Sequence, residues 1–405
     1  AIESGALGFS TSRTILHRDV HGVYVPGTEA SSEEMKSLAF AIDKAGEGTL
    51  EIVSDWLDKE IEMSWMREYV EKSDCGLTVL QTSGDAIKTI LFCEEQFLKG
   101  KNVRPQFPGR NVGMMFGLES SLHPFIGHPS YREIANLPLS ERVQIMKDPA
   151  FKEKLLNEKP NFASEIEKSM NDQGSTKSQE EIKEAANLGL KLISNYDTQF
   201  ILGDPPNYEP GKEDSIAALA ESKGIPELEV IYDEFLKNEG TNLVYACFTP
   251  YENHKLDFVE RAYGLKSSVA GGSDGGAHCG LICDASMPTT NLSHWARDRE
   301  AGKKIPIELI VRKQTKDTAE TYGLFDRGEI KTGMLADLNI IDFEKLNVTH
   351  PKMVYDLPLG GRRLIQTSSG YLATVKSGEV VYEAGEATGV LPGKLIRGKQ
   401  TCEVK

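Results

Sequence analysis

The chain has 405 residues, with 46 Lys and Arg against 61 Asp and Glu, a formal net charge of −15 at pH 7. At 39% hydrophobic and 26% charged residues it has enough apolar material for a buried core, which excludes wholesale disorder. The acidic balance without a basic block argues against nucleic-acid binding, and no run of ~18 apolar residues offers a membrane-spanning helix.

This length suggests two or three domains, or one large barrel with an appendage. Residue 1 is Ala rather than Met, and residues 1–10 already read as the middle of a folded unit, so the chain is expected to be a piece of a longer one. From there to about residue 125, short apolar runs alternate with helix-like stretches. Residues 51–54, 77–81 and 112–117 read as buried strands, with helices predicted over 33–45, 58–73 and 84–99. Ser31-Ser32-Glu33-Glu34 is a helix-start signature. Strands separated by ~10–15-residue helices imply βα units and a parallel sheet.

Residues 130–200 are charged and helical in pattern, apart from a polar loop over 171–178. This stretch reads as an insertion covering a pocket, an arm for oligomer contact, or a solvated helical excursion. Helices over 213–224 and 226–239 precede strands at 243–248 and 267–272, and a further helix spans 306–323. After Gly323 the period becomes two, at 336–342, 372–375 and 379–382. Tight turns at Lys376-Ser377-Gly378 and Glu383-Ala384-Gly385 make this an antiparallel β module.

The strongest chemical constellation is Val269-Ala270-Gly271-Gly272-Ser273-Asp274-Gly275-Gly276-Ala277-His278. An apolar strand ends among glycines in an aspartate, and a histidine follows four residues later. Catalytic groups of βα barrels gather at the C-terminal ends of strands. Asp274 therefore stands where a general base or metal ligand is expected, with His278 as a second catalytic candidate and Ser273 and Gly275 beside them in the pocket. The plain alternative is that Asp274 caps a turn and His278 bonds locally.

A second cluster, Glu119, Ser120 and His123, follows the strand predicted at 112–117 and is also assigned to the substrate pocket. Pro124 and Pro129 favour a loop there, so His123 reads equally well as structural. Asp55 and Gln81 close two earlier strands and complete the predicted lining.

The eight histidines (17, 21, 123, 128, 254, 278, 294 and 350) include no His-x-His pair, so spacing alone assembles no zinc centre. The sequence has no Walker loop, no G-x-G-x-x-G after a strand and no Gly-x-Ser-x-Gly elbow. Six sparse cysteines without a C-x-x-C pair fit reduced thiols in a cytoplasmic setting better than a disulfide framework.

Three segments together resemble the amidohydrolase superfamily, in particular its N-acyl-D-amino-acid deacylase (D-aminoacylase) branch. They are Gly272-Ser273-Asp274-Gly275, Thr315-Lys316-Asp317-Thr318-Ala319-Glu320-Thr321-Tyr322-Gly323-Leu324, and Arg327-Gly328-Glu329-Ile330-Lys331-Thr332-Gly333-Met334-Leu335-Ala336-Asp337. Gly5-Ala6-Leu7-Gly8-Phe9-Ser10-Thr11 looks like a mid-barrel strand of that branch.

The resemblance implies an α/β fold, a (β/α)₈ TIM-type barrel over residues 1–329 with a helical insertion near 130–200, followed by a small β-sandwich module over 330–405. It further implies hydrolysis of an amide C–N bond in a small-molecule substrate by water activated at a zinc ion. Asp274 would be both metal ligand and proton shuttle.

The chain departs from the family pattern in starting at about the fourth strand, without the His-x-His of the first. Ser54-Asp55 and Gln81-Thr82 stand where the fifth and sixth strands usually end in histidines. A missing N-terminal segment, another chain or homo-oligomerisation is therefore expected to complete the barrel. Two other readings remain open at this stage: a catalytically inactive barrel relative acting as a scaffold, and a metal-independent hydrolase using Asp274, His278 and the Glu119/His123 loop.

Overall fold

A computed structural model describes residues 1–15, 17, 23–56, 58–81, 87–162, 187, 189–249, 251–273, 275–276 and 278–401. Asp274, Thr82 and the segment 171–178 lie outside the described residues.

The first half builds βα units. Strand β1 (Gly8–Arg13) leads to helix α1 (Ser32–Ala45), β2 (Thr49–Ser54), α2 (Lys59–Lys72), β3 (Gly76–Leu80), α3 (Ile87–Leu98) and β4 (Val103–Pro108). The Ser31 hydroxyl accepts from the Glu34 N–H and starts α1, and Asp58 caps α2 in the same way through the Ile61 N–H. Alternation along the strands sorts the side chains into two faces. Leu50, Ile52, Leu77, Val79 and Val103 pack outward against Met35, Ala39, Ile42, Trp65 and Tyr69 of the helices. Full burial stabilises by roughly 1.5–3 kcal/mol for each large side chain of this kind.

The opposite face is polar. Gln106 Nε2 donates to Glu51 Oε1 at 3.0 Å and to Thr78 Oγ1 at 2.9 Å.

Strand β4 escapes a pattern reading, because Pro105 and Pro108 each lack an N–H and argue against an interior strand. It nevertheless pairs in parallel with β3 on one side. Its pairing with the later strand at Val269–Gly271 starts at Gln106, beyond Pro105.

Residues 112–117, expected as another strand of the βα region, leave that sheet. Their strand β5 (Val112–Phe116) pairs antiparallel with β7 (Val244–Thr249), which also takes β6 (Gln199–Ile201). Just before β5, Gly109 is closely packed: an added Cβ would come within 1.8 Å of Asn291 Oδ1, and the Trp295 indole N–H donates to the Gly109 carbonyl at 2.6 Å. Among the described residues between β5 and β6, the charged segment forms three short helices, Pro129–Ile134, Leu139–Met146 and Pro149–Asn157.

Strand β8 (Val269–Gly271) completes a five-stranded parallel sheet of order β1-β2-β3-β4-β8. The helix expected over 306–323 is two helices, Ile307–Gln314 and Lys316–Thr321, broken at Thr315 with φ −121° and ψ −86°.

The C-terminal region is antiparallel, as its period-two pattern predicts. The strands Leu338–Ile341, Tyr371–Lys376, Glu379–Glu383 and Glu386–Ala387 make one sheet, and shorter pairs lie between the first two of them in the chain. Both predicted turns have two successive residues at positive φ, Ser377-Gly378 and Ala384-Gly385, the conformation that matches strand twist in a tight hairpin. Among the described residues no helix is long and apolar enough to cross a membrane.

Candidate active site

Parallel strands all point one way, so the residues that follow β1, β2, β3, β4 and β8 gather at one end of the sheet. The arrangement at that end begins with His17. Its Nδ1 lies 2.6 Å from Ser12 Oγ near the end of β1. The His17 ring stands 6.4 Å from that of His278, centroid to centroid, with the planes inclined at 40°.

His278 belongs to the glycine-rich loop after β8. Gly272 opens the loop at φ +75°, which favours glycine, and its missing Cβ would sit 3.1 Å from the Pro108 side chain. His278 itself has φ +50°, and its carbonyl accepts the N–H groups of Leu281 and Ile282 at 2.8 and 3.0 Å. Ser273, Gly275 and His278 are exposed on this loop.

The other residues predicted for the site have different surroundings. Asp55 is engaged in structure, since its Oδ2 accepts the Ile15 N–H at 2.8 Å and ties the end of β2 to the loop after β1. Gln81 is fully buried. Its Nε2 donates to the Leu80 carbonyl at 2.9 Å, and among the described residues its Oε1 has no hydrogen-bond partner.

Glu119 and Ser120 follow a strand of the antiparallel sheet and line a separate cleft of about 570 Å³. The Tyr355 hydroxyl donates to Glu119 at 2.6 Å. His123 is enclosed by aromatic rings, with centroids 4.8 Å from Tyr131 and 5.8 Å from Phe235, and its Nδ1 accepts the Phe125 N–H at 3.2 Å. Burial, reinforced by the nearby Arg142 charge, lowers its pKa to about 3, so the ring is neutral at pH 7.

Two residues at the strand ends carry weight that the sequence does not announce. His17 has no motif around it and earns notice only as one of eight histidines. Arg110, two residues past β4, is fully buried, with its guanidinium 3.7 Å from the Tyr208 ring centroid. It donates to the Cys283 carbonyl at 2.8 Å and so fixes the far end of the His278 loop against β4. The Gly109-Arg110-Asn111 sequence directly after a strand is the signal that could have flagged it.

Among the described residues, no group of three or more His, Cys, Asp or Glu side chains is placed to hold a metal ion. The donors described at the strand ends do not by themselves form a metal centre. A second cavity, of about 610 Å³, opens at the opposite end of the sheet, where Thr49, Gly76 and Asn102 stand at the N-terminal ends of strands. Ligands of parallel βα sheets bind outside the carboxyl ends of the strands, which favours the His17–His278 end over this cavity.

A family model described as "Amidohydrolase family" matches residues 2–382. No curated protein matches the chain. Three solved structures of D-aminoacylase align with 98% of this chain at 16% identity, with TM-scores of 0.47, 0.48 and 0.46. One concerns the functional role of that enzyme's binuclear metal centre, one a mutant in complex with CuCl2, and one the enzyme as a novel subset of amidohydrolases. The chain spans 62% of the length of each of these proteins.

Proposed function

The chain belongs to the amidohydrolase family, and on that premise we propose that it hydrolyses an amide C–N bond, such as that of an N-acyl amino acid, at the C-terminal ends of its parallel strands. The single observation that carries this reading is the convergence of His17 and His278 there, on loops that follow the two edge strands.

Asp274 enters through its place in the chain, three residues past β8. It is the proposed proton shuttle. The oxygen of a water attacks the carbonyl carbon, Asp274 takes the proton, and the same proton passes to the nitrogen as the C–N bond breaks, leaving a carboxylic acid and an amine. His278 is the proposed hydrogen-bond donor to the carbonyl oxygen, where negative charge develops. Ser273 and Gly275 flank the reacting group. Asp55 and Gln81, at the ends of β2 and β3, stay in the proposed pocket lining, while Glu119 and Ser120 line a separate cleft and His123 is enclosed by aromatic rings.

Zinc is the metal of this reading, and when bound it supplies a water that is nucleophilic near neutral pH. Asp274 is its proposed ligand. The described residues do not complete a donor set, so no step above is routed through the metal.

The same proposal takes residues 1–329 as part of a (β/α)₈ barrel and 330–405 as a β-sandwich module. An N-terminal segment, another chain or a second copy would complete the sheet at its edges, β1 and β8. A cytoplasmic setting belongs to the proposal as well.

The test is incubation of the protein, with and without added zinc, with a panel of N-acyl-D- and N-acyl-L-amino acids, measuring release of free amino acid. Turnover of at least one member is expected, and no release from any of them would contradict the reading.

A further inference from the structure

The cleft beside Glu119 and Ser120 has chemistry of its own. It is bounded by residues 117–120, 201–204, 234–243 and 350–353, and its volume of about 570 Å³ falls within the usual range of small-molecule sites. Leu118, Leu202 and Leu243, all buried, give it an apolar floor.

Two of the charges around that floor pair with each other. The buried Glu234 carboxylate accepts from Asn242 Nδ2 and from Lys237 Nζ, both at 2.6 Å. Glu119 accepts the Tyr355 hydroxyl. His350 Nδ1 lies 2.7 Å from the Pro351 carbonyl and donates to it. Two lining charges of opposite sign, the Asp204 carboxylate and the Lys352 ammonium, make no hydrogen bond or ion pair among the described residues.

We propose that this cleft binds a small zwitterion with an apolar side chain, the class being a free α-amino acid. Asp204 is available to its ammonium, Lys352 to its carboxylate, and the leucine floor to its side chain. An anion alone would leave Asp204 without a partner, and a cation alone would leave Lys352 without one. A zwitterion meets an opposite charge at both ends. The site rests on its own residues and goes beyond the hydrolase reading.

Isothermal titration calorimetry of the full chain with free leucine tests it. The comparison ligands are leucinol, which lacks the carboxylate, and 4-methylpentanoate, which lacks the ammonium; neither contains an amide bond. Saturable binding of leucine is expected, weakened about tenfold or more for each comparison ligand. Lys352→Glu and Asp204→Lys, both at exposed positions, are expected to weaken leucine binding by about tenfold, and Thr241→Trp, which fills the cleft, to abolish it. Circular dichroism establishes that each variant is folded.

Three results would overturn the proposal: no saturable binding to the wild type, leucine affinity unchanged in folded Lys352→Glu and Thr241→Trp, or comparison ligands that bind as tightly as leucine. No turnover enters these readings. Absence of hydrolysis would remove the functional proposal and leave this site standing, and loss of leucine binding would do the reverse.

Discussion

The imidazoles of His17 and His278 lie 6.4 Å apart, although the strands that precede them are the two edges of the parallel sheet. In a flat sheet those strands would be about 19 Å apart, at ~4.8 Å per neighbouring pair. Curvature of the sheet or a lean of the loops after β1 and β8 closes that distance over the strand ends. If this pair serves the reaction, His278→Asn lowers kcat/KM by about 100-fold, the scale of a positioned proton-transfer or hydrogen-bonding group. His17→Asn gives a smaller loss in the same direction. Steady-state kinetics on a turned-over N-acyl amino acid, with circular dichroism to verify folding, measures both. Rates within about twofold of wild type would leave the pair without a part in the chemistry.

Glu209 predicts how the fold responds to acid. Burial alone would raise its pKa, but hydrogen bonds from His294 at 2.7 Å and from Arg299 at 3.0 Å prevail and hold it down at about 2. A carboxylate with a lowered folded value stabilises the protein above its unfolded pKa, and that contribution disappears as pH falls through the folded one. From 4.5 to about 2 the shift corresponds to about 3 kcal/mol. Glu209→Gln is expected to cost about that much at pH 7 in urea unfolding, with the gap to wild type narrowing between about pH 4.5 and 2. A gap independent of pH would contradict this account of the network.

His123 predicts a second acid response, at higher pH. Its folded value of about 3 lies below the ordinary 6.5, so the neutral ring stabilises the fold fully above pH 6.5 and progressively less as pH falls towards 3. His123→Phe keeps a ring in the aromatic enclosure and removes the titration. The variant is expected to flatten stability between pH 6.5 and 3 and to leave the pH–rate profile unchanged. At pH 7 it pays about 1–3 kcal/mol for the unpaired Phe125 N–H. A shifted pH–rate profile would return His123 to the reacting groups.

Ser31 offers a purely local test. Ser31→Ala removes the hydroxyl that accepts from the Glu34 N–H and is expected to cost about 1 kcal/mol, measured as a lower urea midpoint at unchanged slope. No change would show that solvent replaces the cap.

These cases mark what the sequence could and could not tell. The Ser31 cap, the two hairpin turns and the strand at Val269–Gly271 are legible because each depends on a few neighbouring residues. Strand β4 is hidden by Pro105 and Pro108, since propensity cannot anticipate that pairing with β8 begins at Gln106. The sequence groups Glu119, Ser120 and His123 with the other site candidates because 112–117 reads as one more strand of the parallel sheet. That strand pairs with β7 instead, and no local pattern shows that. His17 and His278 meet only through the arrangement of strands across the whole sheet.

The central claim is that Asp274 moves the proton in hydrolysis of a C–N bond. Its most direct test is kcat/KM of Asp274→Asn against wild type on the same N-acyl amino acid, with both proteins shown to be folded and loaded with equal zinc. The account predicts a fall of about 100-fold or more, with KM little changed. An asparagine variant as fast as wild type would contradict it.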